Sequence, residues 1–236
     1  MRGALRSVLL LMLTAVSSAA TLVAALLFPK SDRAGRVMDW WGRAFLRAGG
    51  WKLRVEGMKD LPPGGAILVS NHQSAVDIPM LLSAFPRPVR FLAKKELGAI
   101  PVFGKAMATA GNVFVDRDDP RDAVRMLREA GARLRNGLLL VVFPEGTRSE
   151  DGTIGEFRPG AFYLAWKSGV PVVPVHIDGG RRALPKGAWR VRPADLLVRV
   201  LPPLAPGEGE GGSKERIAAA ARERILAASG GTEGKR

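Results

Sequence analysis

From Ser7 to Phe28 the chain runs for 22 residues without a charged side chain. As an α-helix that run measures about 33 Å, against a bilayer hydrocarbon core of roughly 30 Å. Arg2 and Arg6 precede it, Pro29-Lys30 ends it, and Thr14, Ser17, Ser18 and Thr21 interrupt its apolar character. A cleaved secretory leader has the same ingredients: a positive start, the apolar run Val8–Val16 and the small residues Ser18-Ala19-Ala20. The apolar run continues past that cleavage point through Leu22, Val23, Leu26 and Leu27. A chain without cysteine also gives no sign of export, so retention as a membrane segment is the expectation.

Asp32 to Ala48 reads as a second helix, with Val37, Trp40, Trp41, Ala44 and Phe45 at helical spacing and Arg36, Arg43 and Arg47 between them. Tryptophan beside arginine suits the headgroup level of a membrane. A helix packed on a domain core has the same pattern, so both readings stand. Together the segments suggest a membrane-associated hairpin over residues 1–50. Basic charge on both sides of the apolar run favours the cytoplasmic face.

The net charge supports a polyanionic neighbour: 36 basic against 22 acidic residues leave +14. Nucleic acid, an anionic membrane and phosphorylated substrates all qualify. Aromatic residues make up 6%, and nothing marks a base-stacking platform, so nucleic acid is not the expected partner. The absence of cysteine removes disulfides, thiolate metal sites and a cysteine nucleophile. Two histidines, His72 and His176, are too few for a histidine metal cage.

Beyond the hairpin, strand and helix patterns alternate. Strands are expected at Lys52–Glu56, Ala66–Ser70, Val89–Ala93, Asn112–Val115, Leu138–Phe143, Val170–Ile177 and Leu196–Leu201. Helices are expected at Val76–Phe85, weakly at Ile100–Thr109, from Asp119-Pro120 to about Gly137, at Ala161–Lys167, and at Lys214–Ala228 with Ser213 as its cap. This predicts one α/β domain over residues 51–228, with a mostly parallel or mixed sheet flanked by helices, and a disordered tail over 229–236. Functional loops in such a domain lie at the carboxyl ends of the strands.

Two loops carry the chemistry. In Asn71-His72-Gln73-Ser74-Ala75-Val76-Asp77, the histidine follows a strand end and the aspartate falls in the first turns of the next helix. The ring can fold back so that Asp77 accepts from Nδ1–H, leaving Nε2 as a base. That is two-thirds of a catalytic triad, yet no G-x-S-x-G is present and nothing marks Ser70 or Ser74 as activated. The simplest deduction is that the substrate supplies the nucleophile, a hydroxyl that His72 deprotonates. A helix-capping histidine beside an incidental aspartate remains the alternative. The second loop, Phe143-Pro144-Glu145-Gly146-Thr147-Arg148-Ser149, also follows a buried strand, and its Arg148 can grip a phosphate. Lys94 and Arg117 end two further strands, and cations at one sheet edge can converge on one anion. The segment Gly98 to Lys105 fails as a phosphate loop on spacing, with alanine at position 106. His176 reads as structural.

These clusters, in this order, resemble the glycerolipid acyltransferase family, and within it the bacterial 1-acyl-sn-glycerol-3-phosphate acyltransferases. The family pattern N-H-x-x-x-x-D, G-x-x-F-x-x-R, F-P-E-G-T-R-S and V-P-V-x-P-V is similar to Asn71-His72…Asp77, Gly111…Phe114…Arg117, Phe143–Ser149 and Val170–Val175. Phe157-Arg158-Pro159-Gly160-Ala161-Phe162 resembles F-K-x-G-A-F with arginine for lysine, and Lys94 matches the lysine of A-K-x-E-L. The resemblance implies an enzyme of the bacterial inner membrane, its catalytic domain on the cytoplasmic face. It implies transfer of an acyl group from acyl-coenzyme A or acyl-acyl-carrier protein to the 2-hydroxyl of lysophosphatidic acid, giving phosphatidic acid, with membrane phospholipids around it. His72 and Asp77 would be catalytic. Lys94, Arg117 and Arg148 would hold the phosphate, and Glu145, Gly146 and Thr147 would shape the glycerol site. No metal or cofactor is implied. Another lyso-lipid acceptor, or a non-catalytic basic module that binds membranes, are the competing readings.

Overall fold

Successive residues of a buried strand point to opposite sides, so a strand apolar at every position must be covered twice. The strand β2 (Ala66–Ser70) is buried throughout. Ala66 and Leu68 enter one apolar layer, with Leu46, Met80 and Leu81. Ile67 and Val69 enter the other, with Phe162, Leu164 and Ile217. The computed structural model describes residues 2–29, 31–116, 130–205 and 213–230.

Among the described residues the other strands are β1 (Lys52–Glu56), β3 (Val89–Lys94), β4 (Val113–Val115), β5 (Leu139–Val142), β6 (Val172–Asp178) and β7 (Asp195–Val200). They form one seven-stranded sheet in the order β1-β7-β6-β2-β5-β3-β4. β2 to β6 run parallel, β7 is antiparallel to β6, and β1 is parallel to β7. The sheet is mixed, flanked by helices on both faces, as expected.

One face is covered by α2 (Arg33–Gly49) and α3 (Asp77–Ala84), the other by the helices Gly160–Ser168 and Lys214–Ala228. The last helix starts where expected: the Ser213 hydroxyl accepts from Arg216 N–H at 3.3 Å. The helices α4 (Lys95–Gly98) and Gly180–Ala183 carry no sequence signal, because four residues are too few to show a 3.6-residue period. Most of the helix expected after Asp119, with the tail beyond 230, lies outside the described residues; residues 130–135 are helical.

The N-terminal helix α1 (Arg2–Leu27) has an unusual inside and outside. Ser7, Ser17, Ser18 and Thr21 are buried, while Leu5, Leu9, Leu11, Met12, Val16 and Leu26 are exposed. The residues that interrupt the apolar run therefore recur on one helical face and point at the protein. Ser7, Thr14 and Thr21 hydroxyls donate back to carbonyls four residues earlier, so their polarity is satisfied within the helix. Trp41 Nε1–H donates to Thr14 Oγ1 at 3.1 Å and Val191 N–H to Ser7 Oγ at 3.1 Å. Gly3–Leu27 is long and apolar enough to cross a membrane by length and composition, with mean hydropathy 2.2, and 22% of its apolar window is buried. A core helix would be mostly covered.

α2 docks on the sheet by close approach and one buried ion pair. A Cβ at Gly42 would meet Leu82 Cβ at 2.6 Å, so only glycine lets α2 lie this close to α3. Arg90, on β3 and 2% exposed, donates to Asp39 Oδ1 of α2 at 2.8 Å. Trp40 instead stands exposed beside exposed Arg36 and Arg43. The helix thus packs on the core along one stripe and presents tryptophan and arginine on another.

Candidate active site

The parallel strands deliver their carboxyl ends to one edge of the sheet. β2 leads into Asn71-His72, β3 ends on Lys94, β5 leads into Phe143–Ser149, and β6 leads into Gly179-Gly180. Asn71 is buried and spans two of them: its Nδ2 donates to Ile177 O and its Oδ1 accepts from Ile177 N–H, both at 2.9 Å. The side chain thereby extends the β2–β6 ladder by one step and fixes where the chain turns out into His72.

His72 Nδ1 lies 2.8 Å from Asp77 Oδ2. An ionised carboxylate only accepts, so the neutral ring carries its proton on Nδ1 and leaves Nε2 as the free lone pair. The same oxygen accepts from the backbone N–H of Gln73 at 2.7 Å and of Ser74 at 2.8 Å. Asp77 is 1% exposed, so its position is set on every side. Glycine is required at 180, where a Cβ would strike Asp77 Oδ1. The ring stacks on Phe143, with centroids 3.9 Å apart and planes inclined by 14°. One loop thus orients the imidazole by its edge and the other by its face.

Glu145 has a part that the sequence reading did not give it. Its Oε1 accepts from the backbone N–H of His72 at 2.8 Å and its Oε2 from that of Gly155 at 3.0 Å. Ser149 N–H donates to His72 O at 2.8 Å. The second loop therefore grips the first through its backbone. Burial raises the Glu145 carboxyl above its ordinary value, against the two backbone donors that lower it. Glutamine at this position can turn its oxygen to one N–H only, and its amide nitrogen then faces the other donor. Glu145→Gln is expected to cost about 1–3 kcal/mol of stability. It is also expected to lower turnover about tenfold by loosening His72. Thermal unfolding and steady-state kinetics check the two parts separately.

His72 lines a cavity of about 720 Å³. Its walls come from the motif loops, from β3 and from both N-terminal helices, including Thr14, Ser17 and Trp41. The lining is mostly apolar, and Gly146, Thr147, Arg148 and Lys94 add polar groups to it. Among the described residues, neither the Lys94 nor the Arg148 side chain is engaged by a hydrogen bond or an ion pair. Glu145 is absent from the lining and sits behind it. Arg117 lies outside the described residues. No group of three His, Asp or Glu side chains that could hold a metal gathers among the described residues. His176 stands outside the cavity lining; it is buried, its Nδ1 has no hydrogen-bond partner among the described residues, and burial lowers its pKa.

Comparison with known proteins points one way. The chain is 41% identical over 140 residues to the chloroplastic 1-acyl-sn-glycerol-3-phosphate acyltransferase LPAT1 of Arabidopsis thaliana, covering 58% of this chain and 39% of that protein. It is 34% identical over 163 residues to the 1-acyl-sn-glycerol-3-phosphate acyltransferase of Pseudomonas aeruginosa, covering 69% of this chain and 62% of that one. The chain thus matches less than two-thirds of the length of these relatives. The crystal structure of the 1-acyl-sn-glycerophosphate acyltransferase PlsC from Thermotoga maritima superposes with a TM-score of 0.79 at 29% identity, covering 100% of this chain and 98% of that one. A family model described as Acyltransferase matches residues 52–178, which hold the sheet edge and both loops that carry the site. The chain belongs to the acyltransferase family.

Proposed function

We propose that the protein transfers a fatty acyl group from a thioester donor to the 2-hydroxyl of 1-acyl-sn-glycerol-3-phosphate, giving phosphatidic acid. The observation that carries this reading is the His72–Asp77 pair, 2.8 Å apart, whose ring lines an apolar cavity with Lys94 and Arg148. His72 Nε2 takes the hydroxyl proton as the oxygen attacks the thioester carbonyl. The tetrahedral intermediate collapses, the C–S bond breaks, and the imidazolium returns the proton to the departing thiolate. Asp77 holds the ring and stabilises its cationic form. Lys94, Arg148 and, by its place in the motif, Arg117 bind the phosphate, while Gly146 and Thr147 border the glycerol. Glu145 positions His72 through the backbone. Acyl-coenzyme A or acyl-acyl-carrier protein serves as donor. Residues 1–50 act as the membrane mount and 51–228 as the catalytic domain, placed at the cytoplasmic face of the inner membrane.

The test is acyl transfer by the purified chain in phospholipid vesicles, with each donor in turn and with phosphorylated and dephosphorylated acceptors. Phosphatidic acid, identified by mass, is the expected product. Lipid binding without transfer would leave a basic membrane-binding module instead. Arg148→Ala should raise KM for the phosphorylated acceptor about ten- to a hundredfold, the worth of a charge-assisted hydrogen bond. The same change should leave a dephosphorylated acceptor nearly unaffected. An equal loss on both acceptors would remove Arg148 from the phosphate site.

A further inference from the structure

A residue that lines a cavity and is also largely exposed stands at the cavity's opening. Six do so here: Ala75, Lys94 and Thr147 at the sheet edge beside His72 and, from distant parts of the chain, Leu11 in α1, 69% exposed, Leu97 in α4, 39%, and Trp189 in the loop before β7, 58%. The last three are large and apolar. Leu11 belongs to the outward apolar face of α1, so the opening is continuous with that face.

The segment after Leu97 goes further. It runs through Ala99-Ile100-Pro101-Val102 into α5 (Phe103–Thr109), and Ile100 and Val102 are exposed. Val102 has φ 62° and ψ −56°, and Phe103 N–H donates to Pro101 O at 2.6 Å across it. That is a γ-turn of positive φ, a strained conformation and most unfavourable for a β-branched residue. Val102 is the one non-glycine residue at positive φ among the described residues. Such strain persists where the surroundings compensate it. An isopropyl group turned outward gains nothing in water and gains a great deal in hydrocarbon. On the loop side of the opening, the Arg190 guanidinium lies 4.9 Å from the centre of the Trp189 ring. An aromatic ring paired with a cation matches the boundary between acyl chains and anionic headgroups.

We propose that the segment Leu97–Val102 and the Trp189-Arg190 loop form a second membrane contact, separate from the outward face of α1. This contact seats the cavity's opening in an anionic leaflet, so that a lysolipid slides from the leaflet to His72 without passing through water. The proposal rests on the membrane association of α1, and the experiment reads the two separately.

The chain has no cysteine, so single probes can be placed in it without removing any. Met12→Cys marks the outward face of α1, Val102→Cys and Trp189→Cys mark the proposed contact, and Arg216→Cys marks the helix on the opposite face of the sheet. Each is labelled with an environment-sensitive fluorophore and reconstituted in phosphatidylethanolamine–phosphatidylglycerol vesicles. Quenching by lipids with spin labels on their acyl chains is compared with quenching by aqueous iodide. With side chains held about 5–10 Å below the surface, probes at 102 and 189 should respond to the lipid quencher as the probe at 12 does. They should also be quenched by iodide at least about threefold less than the probe at 216. Ile100→Cys repeats the measurement at ordinary φ if the Val102 variant does not fold. If the probes at 102 and 189 follow the one at 216 while the probe at 12 follows lipid, the second contact is refuted and the α1 mount survives. If the probe at 12 also reports water, both fall.

Discussion

Replacing His72 with alanine is expected to lower the rate of the proposed acyl transfer by about 10³-fold or more, at the upper end of what a positioned general base supplies. Binding of the acceptor should persist, because Lys94, Arg148 and the apolar walls are untouched, so the loss appears in kcat rather than KM. The protein should still fold. The variant gives up a ring stacked on Phe143, worth about 0.5–1.5 kcal/mol, while Asp77 keeps its two backbone donors. The hole left beside Phe143 and Asp77 has the shape of an imidazole. Added imidazole should therefore restore part of the rate, which it could not do if His72 merely capped a helix. A His72→Ala protein with undiminished transfer places the base elsewhere and ends the mechanism.

Much of this architecture was legible because local chemistry decided it. The strands at Lys52–Glu56 and Ala66–Ser70 are bounded by turn residues and fall where the pattern puts them. The His72–Asp77 contact was legible for a similar reason: five residues separate the two, and a strand-to-helix turn can fold only a few ways over that distance. Features made by distant segments were not. Glu145 bonds to the backbone of a residue 73 positions away, and no property of F-P-E-G-T-R-S says which oxygen meets which N–H. Asn71 pairing with Ile177, Gly180 making room for Asp77, and Arg90 burying itself against Asp39 are of the same kind. The polar residues of α1 fall between. Thr14, Ser17, Ser18 and Thr21 look like blemishes in an apolar run when counted, yet their helical spacing already placed them on one face. That face turned out to be the inner one, and it makes the hairpin a wall of the cavity as well as the proposed mount.

Asp77→Asn is expected to slow transfer by about 10²-fold or more, and the geometry says why the loss falls short of the roughly 10⁴-fold seen when such a change forces the wrong tautomer. Asp77 uses one oxygen for everything: Oδ2 meets Nδ1 of His72 and two backbone N–H groups, while Oδ1 is buried without a hydrogen bond. Asparagine can put its oxygen where Oδ2 was, facing three donors, and so keep the ring's orientation and its proton on Nδ1. Its amide nitrogen then takes the place of Oδ1 against Gly180, with two buried hydrogens unpaired. That costs about 1–3 kcal/mol of stability, read as a lower Tm. The lost charge is felt when the ring becomes cationic as it takes the hydroxyl proton. With no carboxylate to stabilise the imidazolium, the loss should fall on kcat and leave KM for the acceptor nearly unchanged. A merely structural aspartate would lower Tm without lowering kcat of the folded protein. An asparagine variant as fast as the parent would leave the carboxylate no part in the chemistry.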